Sequence, residues 1–391
     1  MKKILFIIPS LTTGGTNSSL DSYYHFLKIK YDIKVFSISH QPRSNQYSFD
    51  EALLPQDLIL SLLFSNYNIQ KGLFRFFAFF LKIFQRILRM MKIDLIKAYA
   101  IHIIKKLEEQ RKYDIVIGFQ EGNATSIASQ FHCPLKIAWI HCNYDAYLPK
   151  GMSEEKIYEK FCKIVCVSQY TASVFSCRYP LLKEKTIFIY NLIDPIKIQK
   201  QAEQPIDDTR FENNHLILLS VGRFNTVKRF REIPAIASVL KNKGLSFTWY
   251  IIGPPDGSDE SSLFSERLIQ YNVEDCVKWL GGKANPYPYF KTADLYVCLS
   301  ESEACPMVFK EAKLFALPVV TTDFPSSYEF IHEEEGCITS FEKLSEAITS
   351  MIYKIETGFK LKDSYDDRED VLSKVYSIFD DDIHISSINV N

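Results

Sequence analysis

The chain has 391 residues and a formal net charge of −1, with 47% hydrophobic and 24% charged residues. This length is enough for two domains of ordinary size, and the composition is that of a soluble globular protein rather than a disordered one. A chain without excess positive charge is no polycation, so nucleic acid is not expected as a partner. The nine cysteines form no C-x-x-C pair, which is typical of reduced, cytosolic thiols and argues against a disulfide framework or a zinc site.

The N-terminal stretch MKKILFIIPSL combines two lysines with an apolar run and so imitates a signal peptide. The run is short, has no cleavage site of small residues and passes directly into TTGGTNSSL, which contains Gly14 and Gly15. These features predict a first β-strand that feeds a glycine loop. No apolar stretch reaches the roughly 18–20 residues that a membrane-spanning helix needs.

Short β-branched runs alternate with helical patterns along the chain. Runs such as ILFIIPS, DIVIGF and LKIAWIH are apolar throughout, as are strands that are buried on both faces of a parallel sheet. The pattern lapses into polar residues and prolines over residues 191–214 and then restarts with LILLSVGR. We predict an α/β protein of two Rossmann-like, doubly wound domains, residues 1–195 and 196–391, that face each other across a cleft. Ligands bind such folds at the carboxyl ends of the strands.

Residues 70–92 form an unusual basic and aromatic segment of the first domain. No acidic residue occurs between Asp57 and Asp94, and the segment holds six phenylalanines and six cations. At about 100° per residue the cations fall within an arc of roughly 120°, opposite Phe, Leu, Ile and Met. The pattern indicates a helix that lies in the interface of an anionic membrane. The alternative is a core helix with a solvated edge. The six cations are Lys71, Arg75, Lys82, Arg86, Arg89 and Lys92.

The stretch SVGRFNTVKRF follows a predicted strand and opens a helix. Gly222 permits a tight turn, and Arg223 and Lys228 offer a planar guanidinium and a point charge, a pair that suits a diphosphate. By itself this is a weak indication, because a basic loop is more often simply solvated.

The stretch ESEACPMVFKEA follows the strand DLYVCLS and opens a helix at Pro306. The free amides of Met307 and Val308 at the start of the helix favour a phosphate. Glu303 lies in the loop before the helix and can accept a hydrogen bond there. Glu311 lies about 7.5 Å from Pro306 along the helix axis, near enough to accept hydrogen bonds from ribose hydroxyls. An exposed Glu311 without a ligand is the alternative.

Taken together, the GR and K of the first motif and the E-x7-E of the second resemble the retaining glycosyltransferases of family 4, a large bacterial family with the GT-B fold. This family builds capsules, O-antigens and teichoic polymers from nucleotide-activated sugars. The resemblance covers nearly the whole chain. IPSLTTGGT is similar to the family's first strand and glycine loop, and VSQYTASVF and IYNLID to its domain-end segments. The strongest stretch is GGKANPYPYFKTADLYVCLSESEACPMVFKEAKLFALPVVTTD.

The resemblance implies a role for each site residue. Arg223 and Lys228 would bind the donor diphosphate and neutralise the leaving nucleotide. Glu303 would contact the donor sugar near its anomeric carbon, and Glu311 would hold the ribose hydroxyls. His141, after the strand LKIAWI, matches a cleft histidine beside the transferred sugar, although a lone histidine after a strand is more often structural. The remaining donor-binding positions would be Gly14, Gly15, Thr16, Met307 and Val308.

Two positions depart from the family's pattern. Ala304 stands where the family usually has glycine, which would strain the loop if that site requires a positive φ. The stretch IIGPPDG retains Gly253 but has two prolines in place of the family's glycine-rich turn.

The resemblance implies transfer of a sugar, with retention, from a nucleotide diphosphate sugar, which we expect to be UDP-linked, to a lipid-linked or soluble saccharide acceptor. We expect no metal and no cofactor besides the donor, because Arg223 and Lys228 would do the work of a metal. The basic helix further implies a cytoplasmic protein peripherally bound to the inner face of the cell membrane. Two alternatives are a nucleotide-sugar epimerase on the same scaffold and a non-catalytic protein that binds sugar nucleotides.

Overall fold

The structure is a computed structural model of the chain. It describes residues 1–12, 14–38, 47, 49, 52–53, 73–90, 95–212, 215–361 and 365–380. The chain divides into two compact units, the first of which ends at Leu192 and takes up the chain again from Asp370, whereas the second comprises Ile193–Glu369.

The first unit is built on a seven-stranded sheet with the order β3-β2-β1-β4-β5-β6-β7, and all its strand pairs are parallel. Every residue of β4 is buried, in agreement with the uninterrupted apolar runs of the sequence. The strands are β1 Lys3–Ile8, β2 Asp32–Ser37, β3 Ala52–Leu53, β4 Ile115–Gly118, β5 Leu135–Ile140, β6 Lys163–Cys166 and β7 Thr186–Phe188. The described helices are Gly15–Leu27, Leu73–Met90, Leu95–Gln110, Asn123–Ala128, Tyr144–Tyr147, Glu155–Tyr158 and Gln169–Arg178, with a 3₁₀ turn at Pro180–Lys185.

The second unit is built on a six-stranded parallel sheet with the order β10-β9-β8-β11-β12-β13. Its strands are β8 Leu216–Val221, β9 Phe247–Ile252, β10 Val277–Trp279, β11 Leu295–Cys298, β12 Val319–Thr322 and β13 Gly336–Thr339. The helices are Pro195–Ala202, Ile233–Asn242, Glu260–Gln270, Tyr287–Thr292, Met307–Leu314 and Leu344–Glu356, with 3₁₀ turns at Thr226–Lys228, Phe230–Glu232, Ser327–Glu329 and Phe341–Lys343.

Each sheet reverses its strand order at one point, between β1 and β4 in the first unit and between β8 and β11 in the second. In open α/β sheets the crevice beyond the carboxyl ends of such neighbouring strands is the usual place for a ligand. The loops that carry Arg223 and Glu303 leave β8 and β11, so the two predicted motifs meet at the reversal point of the second sheet.

The helix Arg368–Asp380 corrects the prediction that the second domain extends to the end of the chain. From Asp370 on, this helix belongs to the first unit. Lys2 donates from Nζ to the carbonyl of Phe379 at 2.8 Å, and the hydroxyl of Tyr31 lies 2.8 Å from a carboxylate oxygen of Asp380. The apolar stripe of the helix, which is buried and explains this placement, comprises Val371, Val375, Ile378 and Phe379.

The predicted basic and aromatic helix is present as Leu73–Met90, and residues 70–72 and 91–92 lie outside the described residues. Its described phenylalanines are exposed, for example by 60% at Phe76 and 52% at Phe84. The alternative of a core helix is therefore wrong for these side chains. Within the described ranges of the chain, no helix is both long and apolar enough to cross a membrane.

Candidate functional site

The loop after β8 is held against the loop after β9. The amide of Gly222 donates to the carbonyl of Ile252 at 2.9 Å, and that of Phe224 donates to Pro254 at 3.1 Å. A Cβ atom on Gly253 would lie 1.6 Å from the carbonyl oxygen of Gly222, so only glycine fits at position 253. The retained glycine and the two prolines thus shape the backbone that presents Arg223.

Lys228 reaches the loop that follows β11. The side chain of Asn225 caps its 3₁₀ turn by accepting a hydrogen bond from the amide of Lys228 at 3.0 Å. The ammonium Nζ contacts Oε1 of Glu303, and both side chains are largely shielded, with exposed fractions of 19% and 17%. Burial disfavours the charged amine, but the neighbouring carboxylate outweighs burial and raises the pKa of Lys228. Lys228 is therefore a permanent cation at physiological pH.

Glu303 has further partners around it. The hydroxyl of Ser300 donates to its Oε1 at 2.7 Å, and the hydroxyl of Ser326 donates to its backbone carbonyl at 2.6 Å. These contacts fix both the side chain and the backbone at the entrance to the following helix.

The condition under which Ala304 would strain its loop, a positive φ, is not met. Among the described residues, the non-glycine residues with a positive φ are Arg229, Asn272 and Ala316. Since Ala304 is outside the left-handed region, an alanine is accommodated there as easily as a glycine.

Arg223 differs from Lys228 in its surroundings. Its side chain is exposed and makes no hydrogen bond or ion pair with the part of the chain that the structure describes. A guanidinium in this state can bind an anion without first giving up a protein partner, whereas Lys228 already has one.

The helix Met307–Leu314 begins directly after Pro306, which supplies no side-chain cap. The first hydrogen bond from its N-terminal amides is that of Phe309, which donates to the carbonyl of Pro306 at 3.1 Å. The amides of Met307 and Val308 come before this hydrogen bond in the chain. Such amides at the start of a helix are the groups that bind an anion at a helix N-terminus.

Glu311 is buried in this helix, with an exposed fraction of 8%. The alternative of an exposed second glutamate is therefore wrong. Burial raises its pKa to about 7, opposed by a hydrogen bond from the hydroxyl of Tyr287 at 3.2 Å and by the charge of Lys228. A buried carboxylate of this kind needs hydrogen-bond donors.

The glycine loop of the first unit leads into the helix Gly15–Leu27. The amide of Gly14 donates to the hydroxyl of Tyr47 at 3.1 Å, and its backbone is extended, with a φ of 169°. A Cβ atom at Gly14 would meet nothing within 4 Å, so the protein itself does not require glycine there. Gly15 is exposed and Thr16 is half-buried.

His141 follows β5 in the first unit. Its amide donates to Oε2 of Glu121 at 2.9 Å, and its ring lies 4.6 Å from that of Phe119. Both ring nitrogens are buried without a hydrogen-bond partner among the described residues, and burial lowers the pKa of His141 to about 3. The imidazole is therefore neutral and holds an unused donor and acceptor.

Two residues that were not predicted from the sequence are in contact with predicted site residues. Glu121, which is buried and whose pKa burial raises, follows β4 as His141 follows the adjacent β5. Its position after an apolar strand was the available signal. Tyr287 contacts Glu311, and no local pattern connects the two. In the described part of the chain no group of three His, Cys, Asp or Glu side chains could hold a metal ion.

Part of the chain matches a known protein family and several curated proteins. Residues 202–365 match the family of glycosyl transferases group 1. The chain is 21% identical over 203 residues to the amylovoran biosynthesis glycosyltransferase AmsD of Erwinia amylovora, a match that covers 52% of this chain and 55% of the relative. It is 25% identical over 201 residues to an uncharacterized glycosyltransferase of Methanocaldococcus jannaschii, with 48% of each chain covered. The chain thus spans about half the length of these curated relatives.

Solved structures match nearly the whole chain. The Anabaena protein HepE in complex with UDP and glucose matches with a TM-score of 0.62 and 15% identity, covering 97% of this chain and 98% of the other. A mutant of S. aureus TarM in a complex that includes UDP matches with a TM-score of 0.65 and 12% identity, covering 97% and 100%. The chain therefore has the GT-B fold of two Rossmann-like units, and its residues 202–365 match the family of glycosyl transferases group 1.

Proposed function

We propose that this protein is a retaining, metal-independent glycosyltransferase of the family 4 type. It would move a sugar from a nucleotide diphosphate sugar, in our proposal a UDP-sugar, to a saccharide acceptor in cell-surface polysaccharide synthesis. The observation that carries the proposal is the contact of Lys228 with Glu303 at the reversal point of the second sheet, with the buried Glu311 on the following helix.

The second unit supplies the groups that the leaving nucleotide needs. In the transition state negative charge builds up on the departing diphosphate, and cations placed in advance stabilise it without reorganisation. Arg223, Lys228 and the amides of Met307 and Val308 are the groups for this charge. Glu311 is assigned to the ribose hydroxyls, and Glu303 to the donor sugar.

The reaction forms a bond between an acceptor hydroxyl oxygen and the anomeric carbon. The bond from that carbon to the diphosphate oxygen breaks, and the hydroxyl proton passes to the leaving phosphate. We assign no protein nucleophile. A neutral His141 can exchange a hydrogen bond with the transferred sugar without adding charge, which agrees with its unused ring nitrogens.

Relatives and neighbours support the nucleotide donor and the polysaccharide product. HepE is bound to UDP and glucose in its crystal structure, and AmsD is named for amylovoran biosynthesis. The substrates of these proteins are their own at such identity and coverage. For this chain the nucleotide donor is proposed from the site, and the polysaccharide product from the resemblance of its motifs to the family.

We further propose that the helix Leu73–Met90 binds peripherally to the inner face of an anionic membrane, where the acceptor is lipid-linked. Its exposed phenylalanines and isoleucines give an apolar face, and the sequence places the cations on the opposite side. This is the arrangement of a helix that lies in a membrane interface.

The proposal is tested by incubating the protein with α-linked UDP-sugars, a lipid-linked saccharide acceptor and a chelator, and analysing the product by NMR. We expect an α-linked product and release of UDP. An inverted product would exclude retention, and loss of activity with the chelator would exclude metal independence. Conversion of the UDP-sugar to its epimer without release of UDP would identify an epimerase instead.

A further inference from the structure

Glu311 has a protein partner that the motif does not contain. The hydroxyl of Tyr287 lies 3.2 Å from Oε1 of Glu311, and this is the one hydrogen bond that the described residues make to the carboxylate. The side chain is 8% exposed, so its carboxylate oxygens favour hydrogen-bond donors, and Oε2 makes no hydrogen bond to the described residues. Tyr287 supplies a donor to Oε1 and leaves Oε2 for another.

Tyr287 is itself held in place. Its amide donates to Oδ1 of Asn285 at 3.1 Å, and Nδ2 of Asn285 donates to the carbonyl of Gln201 at 2.8 Å and to Oε1 of Gln204 at 2.9 Å. The ring packs against a small apolar cluster of the second unit. This cluster comprises Ile193, Ile198, Met307 and Leu314. The backbone and the ring of Tyr287 are therefore fixed. Its hydroxyl is already in place to donate to Glu311.

We infer that Tyr287 is a positioning residue for nucleotide recognition, which holds one oxygen of Glu311 and presents the other to the ribose hydroxyls of the donor. The inference rests on the proposed function and adds a residue to it. A hydrogen bond donated to a carboxylate favours its charged form, and a charged carboxylate accepts hydroxyl hydrogen bonds on both oxygens. Tyr287 thus sets both the orientation and the charge of Glu311.

The charge of Glu311 depends on few neighbours. Burial raises its pKa to about 7, and Tyr287 and the ammonium of Lys228 act in the opposite direction. Tyr296, on β11, interacts electrostatically with this carboxylate while its hydroxyl donates to the carbonyl of Val221 at 3.2 Å. The pKa of Tyr296 is raised well above the ordinary value, mainly by burial, so it stays neutral. Loss of the Tyr287 hydroxyl therefore shifts Glu311 towards the protonated form near neutral pH.

This arrangement predicts that the affinity for a nucleotide depends on the Tyr287 hydroxyl, on pH and on the ribose hydroxyls of the nucleotide. Nucleotide affinity rises with pH as Glu311 loses its proton. In Tyr287→Phe the rise moves to higher pH, and the affinity at neutral pH falls about tenfold, the effect of one hydrogen bond to a charged group. A nucleotide without ribose hydroxyls is insensitive to the substitution.

The test is calorimetric titration with UDP and with 2′,3′-dideoxy-UDP between about pH 6 and pH 8, where a group with a pKa near 7 changes its charge. The variants are Tyr287→Phe, Glu311→Gln and, as a matched control, Tyr353→Phe, whose ring is 52% exposed. We expect Tyr287→Phe to weaken binding of UDP but not of the dideoxy nucleotide, and Tyr353→Phe to resemble the wild type.

Two results would overturn the inference while leaving the proposed function in place. One is an equal loss for UDP and dideoxy-UDP in Tyr287→Phe, which is the result of a purely structural role. The other is wild-type UDP affinity and pH dependence in Tyr287→Phe. If the wild type binds no UDP, ADP or GDP at all, the proposed function fails and the inference fails with it.

Discussion

The ammonium of Lys228 and the carboxylate of Glu303 form an ion pair that joins the loops after β8 and β11. A second pair connects the same loops, with Arg229 3.3 Å from Glu301, and the amide of Glu301 donates to the carbonyl of Val227 at 2.8 Å. Without a ligand, the lysine assigned to the diphosphate is thus already neutralised by the acid assigned to the sugar. A diphosphate must compete with Glu303 for this cation.

Glu303→Gln is expected to separate binding from turnover. Removal of the negative charge leaves Lys228 to the diphosphate, so UDP should bind severalfold more tightly, an effect of about 1 kcal/mol for a partly shielded charge. Sugar transfer should fall at least about tenfold, because an interaction near the reacting carbon is lost. Calorimetry and a transfer assay measure the two effects, and weaker UDP binding by Glu303→Gln would contradict the competition.

Arg223→Ala and Lys228→Ala are expected to differ in stability although both weaken UDP binding. Each should lose about 1.5–3 kcal/mol of binding free energy, the value of a hydrogen bond to a charged group. Arg223 is exposed, so its removal should leave the melting temperature unchanged, whereas removal of Lys228 leaves Glu303 shielded and unpaired and should lower it. Calorimetry and thermal unfolding test this, and wild-type UDP affinity in both variants would show that neither binds the diphosphate.

His141 predicts an acid-sensitive contribution to stability. Its pKa falls to about 3 on folding, whereas that of an unfolded histidine is about 6.5. The unfolded chain therefore takes up the proton first, and the contribution is present above about pH 6.5 and is lost, by roughly 1.4 kcal/mol per pH unit, as the pH falls towards 3. The raised pKa of Glu311 acts in the opposite sense, with stability that is lost as the pH rises through about 7.

The measurement is thermal unfolding from about pH 5 to pH 8 for wild type, His141→Phe and the control His132→Ala, whose side chain is 90% exposed. The stability of His141→Phe relative to wild type should improve as the pH falls, and that of His132→Ala should not. A difference between His141→Phe and wild type that is independent of pH would show that His141 is charged, or exposed to solvent, in the folded protein.

Lys310, in the helix Met307–Leu314 that also carries Glu311, forms a buried ion pair. Its side chain is 1% exposed, and Nζ lies 2.5 Å from Oδ2 of Asp367. Lys310→Ala should lower the free energy of unfolding by about 3–5 kcal/mol, because Asp367 would keep an uncompensated charge. Lys374→Ala, which breaks an exposed pair with Asp370, should cost less than about 0.5 kcal/mol. Equal effects in denaturant unfolding would contradict the buried pair.

The helix Leu73–Met90 predicts binding to anionic liposomes that weakens at high salt. The substitution of Arg75, Lys82, Arg86 and Arg89 by glutamate should abolish flotation with the liposomes, since each cation contributes up to about 1 kcal/mol near such a surface. Glutamate at Lys105 and Lys106, both exposed on the neighbouring helix, is the matched control and should have less effect. A wild type that stays soluble with anionic liposomes at low salt would favour a soluble acceptor.

Local patterns in the sequence were sufficient for most strands and for the loops that carry Lys228 and Glu303, because apolar runs and glycine and proline mark where strands end. The contact between these two residues follows from the parallel order of β8 and β11. An α/β pattern in the sequence predicts a parallel sheet but not which strands are neighbours. The structure shows that β8 and β11 are neighbours in this chain.

Contacts that depend on which strands and helices are neighbours in space could not be predicted from the sequence. Glu121 and His141 meet because β4 and β5 are neighbours, and Tyr287 reaches Glu311 from a different helix. The return of the helix Arg368–Asp380 to the first unit also has no local signal, since an apolar stripe does not specify which surface covers it.

The most direct test of the account is release of UDP from UDP-sugars by the wild type and by the double variant Arg223→Ala, Lys228→Ala. The central claim is that the second unit activates a nucleotide sugar through the cations after β8. We predict release of UDP by the wild type in the presence of a saccharide acceptor, and a loss of at least about a hundredfold in the folded double variant, from two charge-assisted contacts. Equal release by wild type and double variant would contradict the claim.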